Sequence, residues 1–437
     1  MDGAVTDAAV LDALVAAEAA LTRAYGTLGA APRAQVDAVC AALGWVGAGS
    51  PAAGHGIAPA EVAAAAVAGG NPVIPLVALL QARVPDDARA WVHRGATSQD
   101  ILDSALMLVA RRAALETAAT LRRTGMALAG FAEANRDEVA AARTLTQHAV
   151  PTTLGLRAAA WLRGIERAAA RVEEAALALP AQLGGAAGTL ASFVEILGAE
   201  DASRLPVAFA DELALSAPPA PWHTTRWPVT ELGDALVQAL DACGVLAADV
   251  ATAARTEVGE LTEGSRGASS AMPQKSNPTA AVLVRSAALR APMLGATLHA
   301  ASASACDERP DGAWHAEWPA LRELLRLALG ATAHAAALAE GLTVDHAAVA
   351  RNVEATRGLL VAERLSLVLA PLLGRDAVAR IVAAAAAGGD LANLVRDALP
   401  PDAGVDADAL LDPAAYTGLA ARLVDAAVTR SHREGDA

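Results

Sequence analysis

Residues 228–262 read PVTELGDALVQALDACGVLAADVATAARTEVGELT, and their spacing decides the fold. Leu232, Leu236, Leu240, Cys243, Leu246 and Val250 recur three or four positions apart, which places them on one helical face. Glu231, Asp234, Gln238 and Asp241 fall elsewhere on the surface. Outward from this stretch, four others read the same way: 101–135, 151–179, 278–304 and 317–341. In the last, Leu321, Leu324, Leu325, Ala328 and Leu329 sit at i, i+3, i+4, i+7 and i+8, with Arg322, Glu323 and Arg326 facing away. At ~1.5 Å per residue, such helices run roughly 35–50 Å, a length suited to an extended bundle. Pro151 and Pro278 stand where helices are expected to begin, because proline is tolerated in a first turn.

Either side of these helices the pattern shortens. Residues 1–100 read as short helices broken by GAGSPAAGHG (47–56) and GGNP (69–72), and 346–437 as short helices broken by LLGRD, AAGGD and LPPDAG. The expected organisation is an N-terminal helical domain (1–100), a central long-helix bundle (101–345) carrying a loop at 263–278, and a C-terminal helical domain (346–437). Composition agrees with an all-α class. Apolar residues make up 54% of the 437 but aromatics only 3%, so the core is built from Ala, Leu and Val. Small Ala-rich faces also favour close approach of neighbouring chains.

A net charge of -14 argues against nucleic acid, which needs clustered Lys and Arg. Cys40, Cys243 and Cys306 form no C-x-x-C pair and read as buried free thiols of a reducing cytoplasm. The acidic start MDGAVTDAAVLDALVAAEAAL lacks the basic opening of a signal peptide. Charges interrupt each apolar run before ~18 residues, so no membrane span is expected.

Four polar segments at expected helix ends carry chemistry. In 263–278, EGSRGASSAMPQKSNP, small residues before Ser269 predict a mobile loop, and Lys275 is the only lysine in a chain with 34 basic residues. An ammonium is a compact point charge where guanidinium is a planar fork. Beside Asn277 and two serines it would bind a carboxylate and stabilise charge developing there. The bland alternative is an incidental surface lysine; a P-loop is excluded by the missing G-x-x-x-x-G-K spacing. In 91–103, WVHRGATSQDILD, Thr97 and Ser98 precede a helix with Gln99 or Asp100 as N-cap, and His93 and Arg94 add positive character. A plain capped turn reads equally well. In 142–155, ARTLTQHAVPTTLG, Arg143, Thr144, Gln147 and His148 gather before a helix, either as caps or as functional groups. In 308–318, ERPDGAWHAEW, His315 stands between two tryptophans, and its H-x-E lacks the P-C-x-x-C partner of a zinc deaminase. His93, His148, His223 and His315 all lie in polar clusters at expected helix ends.

Residues 267–278, GASSAMPQKSNP, resemble the G-S-S-x-M-P-x-K-x-N-P signature of the fumarase/aspartase superfamily. T-S-x-D at 97–100 and R-T-x-x-Q-H at 143–148 match its other segments in the same order. QHAVPTTLGLRAAAW, PWHTTRWPVTELG and ERPDGAWHAEW look most like its 3-carboxy-cis,cis-muconate cycloisomerase branch, an activity of aromatic-compound degradation. The resemblance is strong over roughly 90–330 and loose beyond. It implies Ser269 as general base and His148 as acid/base partner. Thr97, Ser98, Lys275 and Asn277 would hold substrate carboxylates, with Arg143, Thr144 and Gln147 in support. It further implies a small polycarboxylate substrate, no cofactor or metal, and a homotetramer whose sites draw on three chains. Ala268, Thr225, Trp227 and Leu145 depart from the pattern: Ala268 replaces a glycine, Thr225 and Trp227 replace the Gln and Asp of a Q-R-D run, and Leu145 replaces the histidine of fumarase and adenylosuccinate lyase. The competing expectations are a fumarate-releasing lyase of a substituted succinate and a catalytically silent helical scaffold.

Overall fold

The computed structural model describes residues 3–264, 272, 275–401 and 403–435, the side chains of 432–435 excepted. Nine helices position the groups of interest: α1 (Asp7–Thr27), α2 (Ser98–Ala134), α3 (Leu154–Ala178), α4 (Trp227–Ala253), α5 (Thr279–Ala303), α6 (Gly312–Glu340), α7 (His346–Glu354), α8 (Ala362–Leu373) and α9 (Arg375–Ala386). The long helices α2 to α6 are the five that hydrophobic periodicity foretold. The fold is all-α.

Strands are few among the described residues. β1 (Val139–Thr144) pairs antiparallel with β2 (Gln147–Thr153), and β3 (Leu261–Thr262) with β4 (Thr343–Val344). The first hairpin corrects one expectation: Pro151 is a β2 residue, and α3 begins three positions later. The run VAAART…QHAVPTT is rich in β-branched residues, and only after Thr153 does helical spacing take over. A second correction concerns the N-terminal region. It holds one long helix, α1, rather than short pieces alone, because residues 7–25 carry no helix breaker. Thr6 caps α1 by accepting from the Ala9 N–H at 3.1 Å.

The chain divides into two compact units. One comprises 1–119, 168–241 and 287–333; the other comprises 120–167, 242–286 and 334–437. In the first, Leu14, Leu21, Tyr25, Phe193, Phe209, Leu232, Leu236, Leu324 and Leu325 are buried, as the amphipathic reading of α4 and α6 requires. Each such leucine contributes roughly 1.5–3 kcal/mol through burial. In the second, Val361, Leu365, Leu369, Val378, Ile381, Leu391 and Val395 form an apolar cluster confined to the C-terminal helices. Cys40 and Cys243 are buried as expected, but Cys306 is exposed. By length and composition α4 and α5 would suffice to cross a membrane. Their interrupting charges are partnered instead: Asp249 accepts from Trp161 Nε1 at 2.7 Å, and Asp234 lies 2.9 Å from His299 Nε2.

Candidate functional site

The first unit carries His93, Arg94, Thr97, Ser98 and His315. α2 begins at Ser98, so Thr97 rather than Gln99 or Asp100 occupies the cap position. Asp100 reaches back to the Thr97 N–H at 3.0 Å, the return arm of a capping box. Its carboxylate also accepts from the N–H groups of Gly184 (2.8 Å) and Gly185 (3.0 Å) and lies 3.1 Å from His223 Nε2. Asp100 is thus a buried hub that sews two loops to the α2 tip. The Thr97 hydroxyl is left free of capping and accepts from the Arg309 guanidinium at 2.5 Å. Arg309 was missed by the sequence reading, although it lies in the ERPDG run that drew attention to His315. It brings the positive charge that an anion site at this helix start needs.

The other groups of this set are less open. Arg94 stacks its guanidinium 4.5 Å over the Trp91 ring. His315 has Nδ1 3.1 Å from the Asp311 carbonyl and Nε2 2.9 Å from the Gly70 carbonyl, so both ring nitrogens are engaged by backbone. Thr225 and Trp227 flank Arg226, whose fully buried guanidinium bridges Asp103 (2.7 Å) and Glu317 (2.7 Å). Burial pushes the Glu317 carboxyl above the ordinary range, against the pull of Arg226, because one guanidinium serves two carboxylates.

The second unit carries Arg143, Thr144, Gln147, His148, Lys275 and Asn277. The first four are not helix caps. They surround the β1–β2 turn, with Arg143 opposite His148 and Thr144 opposite Gln147. The turn residues Leu145 and Thr146 both have positive φ, 48° and 72°, the signature of a two-residue hairpin turn of the primed kind. Arg143 forks onto Glu260 at 2.9 and 2.6 Å. Glu260 is buried and also accepts from Asn352 at 2.9 Å and Arg157 at 3.4 Å. Burial would raise its pKa, but these donors overcome it and hold the carboxyl below the ordinary range.

The His148 side chain makes no hydrogen bond among the described residues. Desolvation first, then the Arg143 charge, lower its pKa against the opposing pull of Glu260, so the imidazole is neutral at neutral pH and free to accept a proton. It lines a cavity of about 460 Å³ with Thr356, Arg357, Leu360 and Gly388. A roomier cavity of about 1010 Å³ between α8 and α9 is lined largely by Ala, Leu and Val and holds none of the candidate residues.

The expected mobile loop and Ser269 lie outside the described residues. What surrounds them is informative. Glu263 accepts from the N–H groups of Ala280 (2.9 Å) and Ala281 (3.1 Å), which clasps residue 263 to the first turn of α5. An added Cβ at Gly264 would meet the Gly341 backbone at 2.9 Å, so glycine is required at this close approach. Lys275 is exposed and Asn277 half-buried, just before α5.

The helical scaffold thus holds a guanidinium–hydroxyl pair at the start of α2 in one unit and, in the other, a histidine beside the β1–β2 turn whose side chain has no hydrogen bond among the described residues. The chain belongs to the Lyase family, whose model matches residues 3–292, within the fumarase/aspartase superfamily. It is 44% identical to nitrosuccinate lyase of Streptomyces davaonensis over 98% of this chain and 92% of that protein. It is 38% identical to 3-carboxy-cis,cis-muconate cycloisomerase of Bradyrhizobium diazoefficiens over 97% and 94%. The crystal structure of 3-carboxy-cis,cis-muconate lactonizing enzyme from Pseudomonas putida superposes with a TM-score of 0.87 at 34% identity, covering 98% of this chain and 96% of that one.

Proposed function

We propose that this lyase-family enzyme is a cycloisomerase that converts 3-carboxy-cis,cis-muconate to 4-carboxymuconolactone. A substrate carboxylate oxygen adds across a double bond, and the carbon next to another carboxylate becomes an aci-carboxylate, a dianion-like centre. Protonation there completes an isomerisation in which one C–O and one C–H bond form and no atom is lost. Ser269 serves as the base or acid at that carbon, activated by desolvation and neighbouring donors. Lys275, Asn277, Thr97 and Ser98 supply the fixed positive and hydrogen-bonding field for the carboxylates. Neutral His148 is the second proton-handling group. The observation that carries this reading is whole-chain similarity to muconate-lactonising enzymes in both sequence and fold, with the loop signature matched around Ser269 and Lys275 save for Ala268.

A second reading is favoured by the similarity to nitrosuccinate lyase: elimination from a substituted succinate, in which the base removes a proton next to a carboxylate and the substituent leaves from the adjacent carbon. Read backwards, lactonisation is the same reaction with a carboxylate as leaving group, so one cradle suits both. The deciding experiment incubates the purified protein separately with 3-carboxy-cis,cis-muconate and nitrosuccinate and follows products by NMR. Lactone formation is expected; fumarate without lactone would overturn the proposal in favour of the second reading. Ser269→Ala and Lys275→Arg are expected to lower turnover at least about a hundredfold with circular dichroism unchanged. Unchanged turnover in both would leave a silent scaffold as the better description.

A further inference from the structure

Glu18 is fully buried in α1, among Leu14, Val15 and Leu21. Its Oε1 lies 2.7 Å from His93 Nδ1, while its Oε2 has no hydrogen-bond partner among the described residues. Burying a carboxylate with one oxygen unpaired is costly, and the contact with His93 is what offsets that cost here. Two more residues of the same helical stripe hold the same segment. Thr22 donates to the Trp91 carbonyl at 3.1 Å, and the Tyr25 hydroxyl donates to the Arg94 carbonyl at 2.9 Å. Positions 18, 22 and 25 lie four and three apart and therefore share one face. α1 thereby clamps residues 91–94, the run that leads into Thr97 and Ser98.

His93 is held in the left-handed region, at φ 58°, a conformation that costs a non-glycine residue about 1–2 kcal/mol. The clamp offsets this strain and directs the ring. Nε2 makes no hydrogen bond among the described residues, and the side chain stays 20% exposed. The charged groups around the ring are Glu18 from α1, Asp100 from the first turn of α2 and, on its own segment, Arg94. Burial alone would favour a neutral ring; the Glu18 bond and charge, aided by Asp100, outweigh it and raise the pKa.

We propose that Glu18 is a positioning residue that fixes His93 with Nδ1–H turned to α1, so that Nε2–H of the imidazolium receives a substrate carboxylate. This inference rests on the polycarboxylate reading above and adds Glu18, which that reading leaves idle. The test uses the full chain as wild type, Glu18→Gln, His93→Gln and the double variant, with tricarballylate as the probe and histidine side-chain NMR as the second readout. In Glu18→Gln, His93 is expected to titrate at lower pH than in wild type. Tricarballylate binding at pH 7 is expected to weaken about tenfold. In the His93→Gln background the same change should have no further effect, since the two act through one contact. A purely structural Glu18 would weaken binding equally in both backgrounds, and that result overturns the proposal. So does an unchanged His93 titration, or wild type that fails to bind tricarballylate. If Glu18→Gln does not fold, Glu18→Asp withdraws the charge by one methylene and must still lower the His93 titration; no change there is fatal too. Absence of turnover with both substrates, alongside the expected titration and binding, would sink the proposed function and leave the Glu18–His93 pair standing.

Discussion

Arg226 and Arg143 each fork onto buried carboxylates, yet they end in different states. Arg226 and its partners Asp103 and Glu317 are 1%, 1% and 3% exposed. Each of its three guanidinium nitrogens is bonded, and Trp314 Nε1 adds a further donor to Asp103 at 2.9 Å. Arg143 is 20% exposed, as is Arg157 at 18%, and only their shared partner Glu260 is fully buried. Beside them lies a cavity of about 190 Å³ lined by both arginines, Asp249 and Thr252, and across the hairpin from Arg143 stands His148, whose side chain has no hydrogen bond among the described residues. The difference separates structure from chemistry. A charge network with every valence used holds helices; one with water access and a spare histidine is available to a ligand.

The largest effect should come from breaking the closed network. Arg226→Met leaves Asp103 and Glu317 without their cation and is expected to cost about 3–5 kcal/mol, read from urea denaturation. A loss under about 1 kcal/mol would mean that the two carboxylates protonate without penalty, and the contrast with Arg143 would collapse. Next, His148→Asn should lower turnover about a hundredfold or more. In wild type, activity should fall only as pH drops below 6.5, since the folded pKa lies under the ordinary value of 6.5. An acid limb centred above 6.5 would contradict the lowered pKa, and an alkaline limb, with activity lost as pH rises through the His148 titration, would show that His148 works as a cation.

Glu260→Gln should be smaller, about 1.5–3 kcal/mol, because Arg143 and Arg157 keep solvent as an alternative partner. The sign of its pH dependence follows from the lowered pKa. The contribution of Glu260 is fully present above the ordinary glutamate value of 4.5 and is lost as pH falls through the folded value. The stability gap between wild type and Glu260→Gln should therefore narrow on acidification. A constant gap would assign the loss to packing rather than to charge.

The five long helices were legible because apolar spacing repeats over many turns and averages out local exceptions; Leu232, Leu236, Leu240, Cys243, Leu246 and Val250 on α4 all lie in the core. The β1–β2 hairpin was not, since Arg143 to His148 looks like a polar helix start and only pairing with a distant strand residue, such as Val139 with Thr153, makes it a strand. Among the candidate residues, the polar segments were readable in the sequence, and Thr97 and Arg143 each meet a charged partner, Arg309 and Glu260. The partners were not readable. Glu18, Glu260 and Arg309 lie 75, 117 and 212 positions from His93, Arg143 and Thr97, and nothing local marks a carboxylate in an Ala-rich helix as a histidine's partner. His315 reads the other way round. Its surroundings advertised a site, but the fold engages both of its nitrogens with backbone carbonyls.

The smallest predicted effect probes why the open region tolerates strain. Leu145 and Thr146 occupy positions that favour Asn and Gly, and Leu145 is 96% exposed, so its side chain gains little from packing. Replacing the pair by Asn-Gly should stabilise the protein by about 1 kcal/mol, read from the urea midpoint. If the turn merely connects strands, turnover and the His148 titration should not move. If the strained turn instead sets the angle at which Arg143 and His148 are presented, stability should rise while the titration shifts toward 6.5, because relaxing the turn moves the guanidinium whose charge helps to keep the imidazole neutral. We expect the second result: strained non-glycine turns persist where the surrounding structure uses the geometry they impose, and the closed network at Arg226 contains no residue of positive φ.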